Sequence, residues 1–226
     1  MVKINSNGNT FDIEEAETIG DNHSFSSIDT PLKKDAFVLG DEDKIVQIQE
    51  KFAEIMDILG LDLSDDSLNG TPYRVAKMFV KEIFSGLSPK NKPNLKTFEN
   101  KYGYNKILVE KNITLQSFCE HHFLPIVGIA HVAYIPDQRV VGLSKLNRVV
   151  DYYARRPQVQ ERLTVQILNE LKTVLETESV IVFIDAKHLC VSSRGVKDLG
   201  SSTQTIQYSG KFEEEQTRNE FFKMIS

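Results

Sequence analysis

Both cysteines of this chain, and three of its five histidines, lie in two short runs, Ser117-Phe118-Cys119-Glu120-His121-His122-Phe123 and Lys187-His188-Leu189-Cys190. A fold that uses them together must carry two distant segments to one place, and that requirement restricts the topology more than any other feature. Thiolate and imidazole are the ligands preferred by a borderline-soft ion such as zinc. Cys119 and His122 bracket two residues, which lets both turn onto one ion, and Cys190 can add a third ligand from a distant strand. Three protein ligands leave a tetrahedral ion one open position, as in a catalytic site. A disulfide is the first alternative, disfavoured because no secretory signal is seen and a reducing compartment opposes it. Two unrelated buried thiols are the second. The clustering of Cys-x-x-His with His-x-Cys favours metal over both.

At 226 residues with 40% hydrophobic content, the chain suits one domain, or one with a helical appendage. No apolar run approaches the roughly 20 residues needed to span a bilayer, so a soluble, cytoplasmic protein without a membrane partner is expected. The net charge of -5 opposes a broad electrostatic grip on nucleic acid, though a local basic pocket for a small anion remains open.

Residues 1–40 are polar and read as a loosely attached arm. A helix starts near Asp41, with Ile45, Ile48, Phe52, Ile55, Met56 and Leu59 at helical spacing and Gly60 as its stop. After a loop over 61–70, Thr71 as N-cap and Pro72 at the first helical position open a second helix that ends at Gly86. Arg74 and Lys77 project from its polar side, as a solvated face requires. Residues 41–100 thus form a helical lead-in, and 101–226 carry the strands. Extended segments around Ile107 and Ile113 run toward Cys119, a second strand covers 126–135, and a short return strand follows Asp137-Gln138. His131, within the second strand, reads as a packed histidine and not a ligand. Ser144 opens a helix whose first turns carry Lys145 and Arg148. They are either a phosphate site at a helix N-terminus or an ordinary solvated face. Pro157 starts a further helix, with Val159, Leu163, Ile167, Leu171 and Leu175 as its buried stripe. Glu161 in its first turn complements the helix dipole. The apolar run Val180-Ile181-Val182-Phe183-Ile184 is a buried strand leading to His188, followed by a strand over 203–208 and a terminal helix over 213–225. Strand, strand, helix, helix, strand, strand indicates an α+β fold.

Cys119-Glu120-His121-His122, Gly142-Leu143-Ser144-Lys145 with Arg148, the run from Arg156 to Leu163, and His188-x-Cys190 with Arg194-Gly195 together resemble GTP cyclohydrolase I. Thr71-Pro72-x-Arg74-Val75-Ala76-Lys77-Met78 resembles that family's helical lead-in, and Thr203-x-Thr205 with Gly210-x-Phe212 its closing strand region. The similarity runs from about Asp41 to the C-terminus. It implies the tunnelling fold, an antiparallel four-stranded sheet with two helices, assembled as stacked pentameric rings into a homodecamer with active sites at subunit boundaries. It implies Zn2+ held by Cys119, His122 and Cys190, with His121 and His188 as non-ligating acid/base groups and Ser144 assisting. The implied substrate is GTP, converted with water to 7,8-dihydroneopterin triphosphate and formate. Gln160 and Glu161 would read the guanine edge. Lys145, Arg148 and Arg194 would hold the triphosphate, with Arg74 and Lys77 reaching in from a neighbouring subunit.

Three other readings fit less well. A nucleobase deaminase wants His-x-Glu and Pro-Cys-x-x-Cys, and neither occurs. A nitrile reductase of the same fold should lack this paired Cys/His set. A binding module with structural zinc predicts four closed ligands and no phosphate pocket, against the cluster of Lys145, Arg148 and Arg194.

Overall fold

A computed structural model of the chain describes residues 2–4, 10–12 and 27–226. It divides into two units, Met1–Pro31 and Leu32–Ser226. In the first, strands β1 (Val2–Ile4) and β2 (Thr10–Asp12) pair antiparallel, with Val2 opposite Asp12. Most of the expected polar arm, residues 5–9 and 13–26, lies outside the described residues.

The second unit opens with helix α1 (Asp41–Ile58). Gly60 ends it as expected, at a φ of 77° that an L side chain adopts only with strain. The expected loop that follows contains a short helix, α2 (Asp66–Asn69), capped by the Asp65 carboxylate accepting from the Ser67 N–H. Helix α3 (Thr71–Met78) begins one residue earlier than a Thr71 cap would place it, because Gly70 occupies the cap position. Its ladder then loosens into a π-turn over Phe79–Ile83 and a 3-10 turn over Ser85–Leu87.

Gly86 anchors this lead-in to the segment that joins the two long helices packed on the main sheet. Its N–H donates to the Arg155 carbonyl at 2.9 Å, and its carbonyl accepts from the Arg156 Nε at 2.9 Å. The Arg156 guanidinium stacks 4.7 Å and 4.6 Å from the ring centres of Tyr152 and Tyr153. A Cβ on Gly86 would lie 2.0 Å from the Tyr152 carbonyl oxygen, which is backbone and cannot swing aside. Gly86→Ala is therefore expected to destabilise the protein by about 3 kcal/mol. Guanidinium unfolding would show it as a lower midpoint, and a change under about 0.5 kcal/mol would disprove the anchoring.

The main sheet has five strands in the order β7-β4-β5-β8-β9, where β4 is Leu108–Cys119, β5 Pro125–Tyr134, β7 Pro157–Gln158, β8 Val180–His188 and β9 Thr203–Tyr208. Every pairing is antiparallel except β7 with β4. The expected sheet of four antiparallel strands is present, extended by this short parallel edge. Pro157 thus does not start the helix. It pairs with Phe118 in the sheet, and the helix begins at Gln160. The expected return strand, β6 (Arg139–Val141), also finds a different partner, pairing with β3 (Thr97–Glu99) in a separate two-stranded sheet.

Helices α4 (Leu143–Ala154) and α5 (Gln160–Leu175) cover one face of the main sheet. Ile126, Ala130, Val132, Val182 and Ile184 meet Leu146, Val150, Leu163, Ile167 and Leu171 in the larger core. Strand side chains alternate by face, so Ile181 and Ala133 point the other way. There they pack with Phe212 and with Phe221 of the terminal helix α7 (Glu215–Ile225). Burial on both faces is the reason β8 reads as an unbroken apolar run. His131 is 4% exposed and packs its ring against Phe183, the packed strand histidine expected, with burial pushing its pKa down.

This topology places the chemistry. β4 and β8 both run antiparallel to β5, so their C-terminal ends meet at one end of the sheet. Cys119 ends β4, and His188 ends β8 opposite Ile126. β7, parallel to β4, delivers the N-terminus of α5 to the same end. Among the described residues no helix is long and apolar enough to cross a membrane.

Candidate metal centre and active site

Past Cys119 the chain turns tightly. The Cys119 N–H donates to the Leu124 carbonyl at 2.8 Å, the Phe123 N–H to the Cys119 carbonyl at 2.9 Å, and the Glu120 N–H to the Gln158 carbonyl at 3.0 Å. Rings of Phe84 and Phe123, 5.0 Å apart, and of Phe84 and Phe118, 5.7 Å apart, brace this turn against the lead-in. Cys190 follows β8 on the short helix α6 (Leu189–Ser192), not on a strand.

The ligand atoms of Cys119, His122 and Cys190 all lie within 4.8 Å of one another. A tetrahedral ion with ordinary sulfur and nitrogen bond lengths spaces such donors at about 3.6–3.8 Å, so a modest inward movement completes the set. Both cysteines are free thiols, which removes the disulfide alternative. Burial, then the neighbouring Cys119, push the Cys190 thiol up to about 11. Two sulfurs and an imidazole converging in a half-buried corner are a donor set that a divalent transition ion fits.

Two more imidazoles border the set. His121 places Nδ1 3.5 Å from the Cys119 sulfur and Nε2 3.9 Å from the Glu120 carboxylate. His188 Nε2 lies 2.8 Å from Gln160 Oε1. Burial holds His188 below the usual imidazole range, and the nearby Glu161 carboxylate partly opposes that. Arg194 donates from its guanidinium to His122 Nε2. Cys119, His121, His122, Gln160, Glu161, His188, Cys190 and Arg194 therefore gather at one end of the sheet.

The other candidates lie on other elements. Ser144, Lys145 and Arg148 lie on the first turns of α4. Arg148 lines a pocket with Ser85, Asn91, Asp151 and Arg155. Arg74 donates to Thr71 Oγ1 at 2.9 Å and to the Ser67 carbonyl at 3.3 Å, and Lys77 lies in the last turn of α3.

Three further residues, Arg162, Glu120 and Gln158, have structural roles beside this site. Arg162 and Glu120 form a two-pronged ion pair, with contacts of 2.6 Å and 3.2 Å and the Arg162 side chain 3% exposed. Gln158, fully buried beside Cys119, donates to Gln166 Oε1 at 2.8 Å and to the Tyr153 carbonyl at 2.9 Å. Arg162 and Gln166 form a polar i, i+4 row flanking the apolar stripe of α5, and that row was the available signal.

Comparison with known proteins identifies the family. The GTP cyclohydrolase I family profile matches residues 48–226. A GTP cyclohydrolase 1 from Flavobacterium johnsoniae is 58% identical over 209 residues, 92% of this chain and 94% of that protein. One from Yersinia enterocolitica is 48% identical over 94% of this chain and 96% of its own length. Another, from Serratia proteamaculans, is 50% identical over 88% of this chain and 89% of its own length. With the match covering both Cys/His runs and nearly the whole chain, the protein belongs to the GTP cyclohydrolase I family of enzymes.

Proposed function

We propose that this enzyme opens the imidazole ring of GTP hydrolytically at carbon 8, with zinc as its metal. It releases formate and, after ribose rearrangement and ring closure, yields 7,8-dihydroneopterin triphosphate for folate and pterin synthesis. The observation that carries this reading is the three-donor set of Cys119, His122 and Cys190 with His121 and the end of β8 beside it.

Cys119, His122 and Cys190 would hold the zinc, which supplies a Lewis acid able to make water nucleophilic near neutral pH. The proton traffic belongs to the chain. His188 carries a proton between the incoming water and the purine imidazole nitrogen, which makes carbon 8 electrophilic. His121 serves the transfers as the ring opens and formate departs. Glu161 reads the guanine edge, where a carboxylate accepts from ring and exocyclic N–H groups together. Lys145, Arg148 and Arg194 bind the triphosphate, and Ser144 assists the later rearrangement.

Arg74 and Lys77 reach the site from a neighbouring copy. We place these groups at a site completed at subunit boundaries, as the family resemblance implies. We take the assembly to be two stacked pentamers of the tunnelling fold in the cytoplasm. Residues 1–40 would then be an arm, 41–100 a lead-in and 101–226 the catalytic domain.

Incubation of zinc-loaded protein with GTP should release formate and, after oxidation, a fluorescent neopterin, both abolished by a chelator. Formate without neopterin would mean ring opening without closure. Neither signal, with zinc tightly bound, would replace the catalytic reading with a structural metal.

A further inference from the structure

Gln160 is 1% exposed, and both ends of its amide are engaged. Its Nε2 faces three acceptors: the Thr203 carbonyl at 2.9 Å, Thr205 Oγ1 at 3.1 Å and the Ile184 carbonyl at 3.3 Å. Carbonyls only accept, so the nitrogen must lie on that side and Oε1 must face His188. The hydroxyl chain beside it has one direction for the same reason. Thr164 donates its proton to the Gln160 main-chain carbonyl at 2.8 Å. Thr205 must then donate to Thr164 Oγ1 at 2.7 Å, which leaves Thr205 Oγ1 to accept from Gln160. Every proton in the chain is fixed by a backbone carbonyl at its end.

We infer that Gln160 is a positioning residue that acts through His188: its Oε1 accepts from His188 Nε2–H at 2.8 Å and so leaves His188 Nδ1 as the nitrogen free to exchange a proton with substrate. This role replaces the guanine contact that the resemblance implies for Gln160, since the amide is 1% exposed and both its N and its O face protein partners. The inference deepens the proposed function and rests on it for the identity of the substrate, but not for the tautomer. Thr164, Thr205 and the β8–β9 strand ends become the support that holds a catalytic imidazole at one orientation.

The tautomer is read directly by solid-state 15N NMR of the intact, metal-loaded protein carrying 15N-labelled histidine. The His188 signals are assigned by their loss in His188→Asn. The expected result is a protonated Nε2 and an unprotonated Nδ1, with Thr205→Val giving a mixture of tautomers. A proton on Nδ1 in the wild type would overturn the inference, whether or not the protein turns over GTP.

Kinetics provide the second arm. Gln160→Leu should lower kcat by about 100-fold while KM for GTP stays within about twofold. Thr205→Val, the milder change, should lower kcat severalfold in the same way. A raised KM with kcat retained, together with lost preference for GTP over ATP, would show that Gln160 reads guanine instead. A wild type with the expected tautomer but no formate release would refute the proposed function and leave the positioning of His188 standing.

Discussion

Cys190→Ala is expected to lose both metal and turnover, whereas His188→Ala keeps the metal and loses turnover alone. The two residues stand two apart, His188 at the end of β8 and Cys190 on α6, yet their surroundings differ. Cys190 contributes one of three clustered donor atoms, and His188 is engaged with Gln160. Deleting a thiolate leaves two ligands, too few for a tight site, and so removes the Lewis acid entirely. Deleting the imidazole removes only a proton carrier, a loss of about 100- to 10,000-fold in kcat. Elemental analysis of the purified variants, beside formate release, checks both. Metal lost from His188→Ala would mean that the ligand set is wrong.

Arg162→Met should unfold far more readily than wild type, by about 3–5 kcal/mol, because it strands the Glu120 carboxylate without its partner. Glu120 is 19% exposed at its side chain and Arg162 only 3%, so water replaces little of the lost interaction. The double variant Glu120→Leu with Arg162→Met should recover most of that stability, since an apolar pair of similar volume needs no charge compensation. It should not recover activity. Glu120 separates Cys119 from His121, and Arg162 follows Glu161, so the pair ties the metal turn to the first turn of α5. Urea unfolding midpoints at constant slope measure the stabilities. A loss under about 1 kcal/mol in Arg162→Met would place the pair among exposed ion pairs of little consequence.

Much of this protein is legible in its residues. Gly60 ends α1 where the periodicity stops, the β9 strand runs over Thr203–Tyr208 as read, and the apolar run of β8 is buried on both faces. These are local matters, settled by side-chain period and by the one residue type that tolerates positive φ. Errors occur where a distant partner decides. Pro157 carries a good signal for a helix start, but the edge of β4 offers Pro157-Gln158 a parallel partner, and the helix waits until Gln160. Arg139 to Leu143 reads as a short return strand, but only Arg139–Val141 is extended, paired with the distant Thr97–Glu99, and Leu143 already opens α4.

The same division runs through the site. Residue chemistry and spacing alone mark Cys119, Cys190 and the histidines beside them as candidate donors for a soft ion, whereas the choice of His122 over His121 comes from the family resemblance. The mutual service of Gln160 to His188 and of Arg162 to Glu120 is written nowhere in local sequence. Such pairs form because β4 and β8 both run antiparallel to β5 and end side by side, with β7 delivering α5 to the same corner. Hydrogen-bond partners are chosen by proximity after the chain has packed, and proximity belongs to the sheet order, not to any single strand.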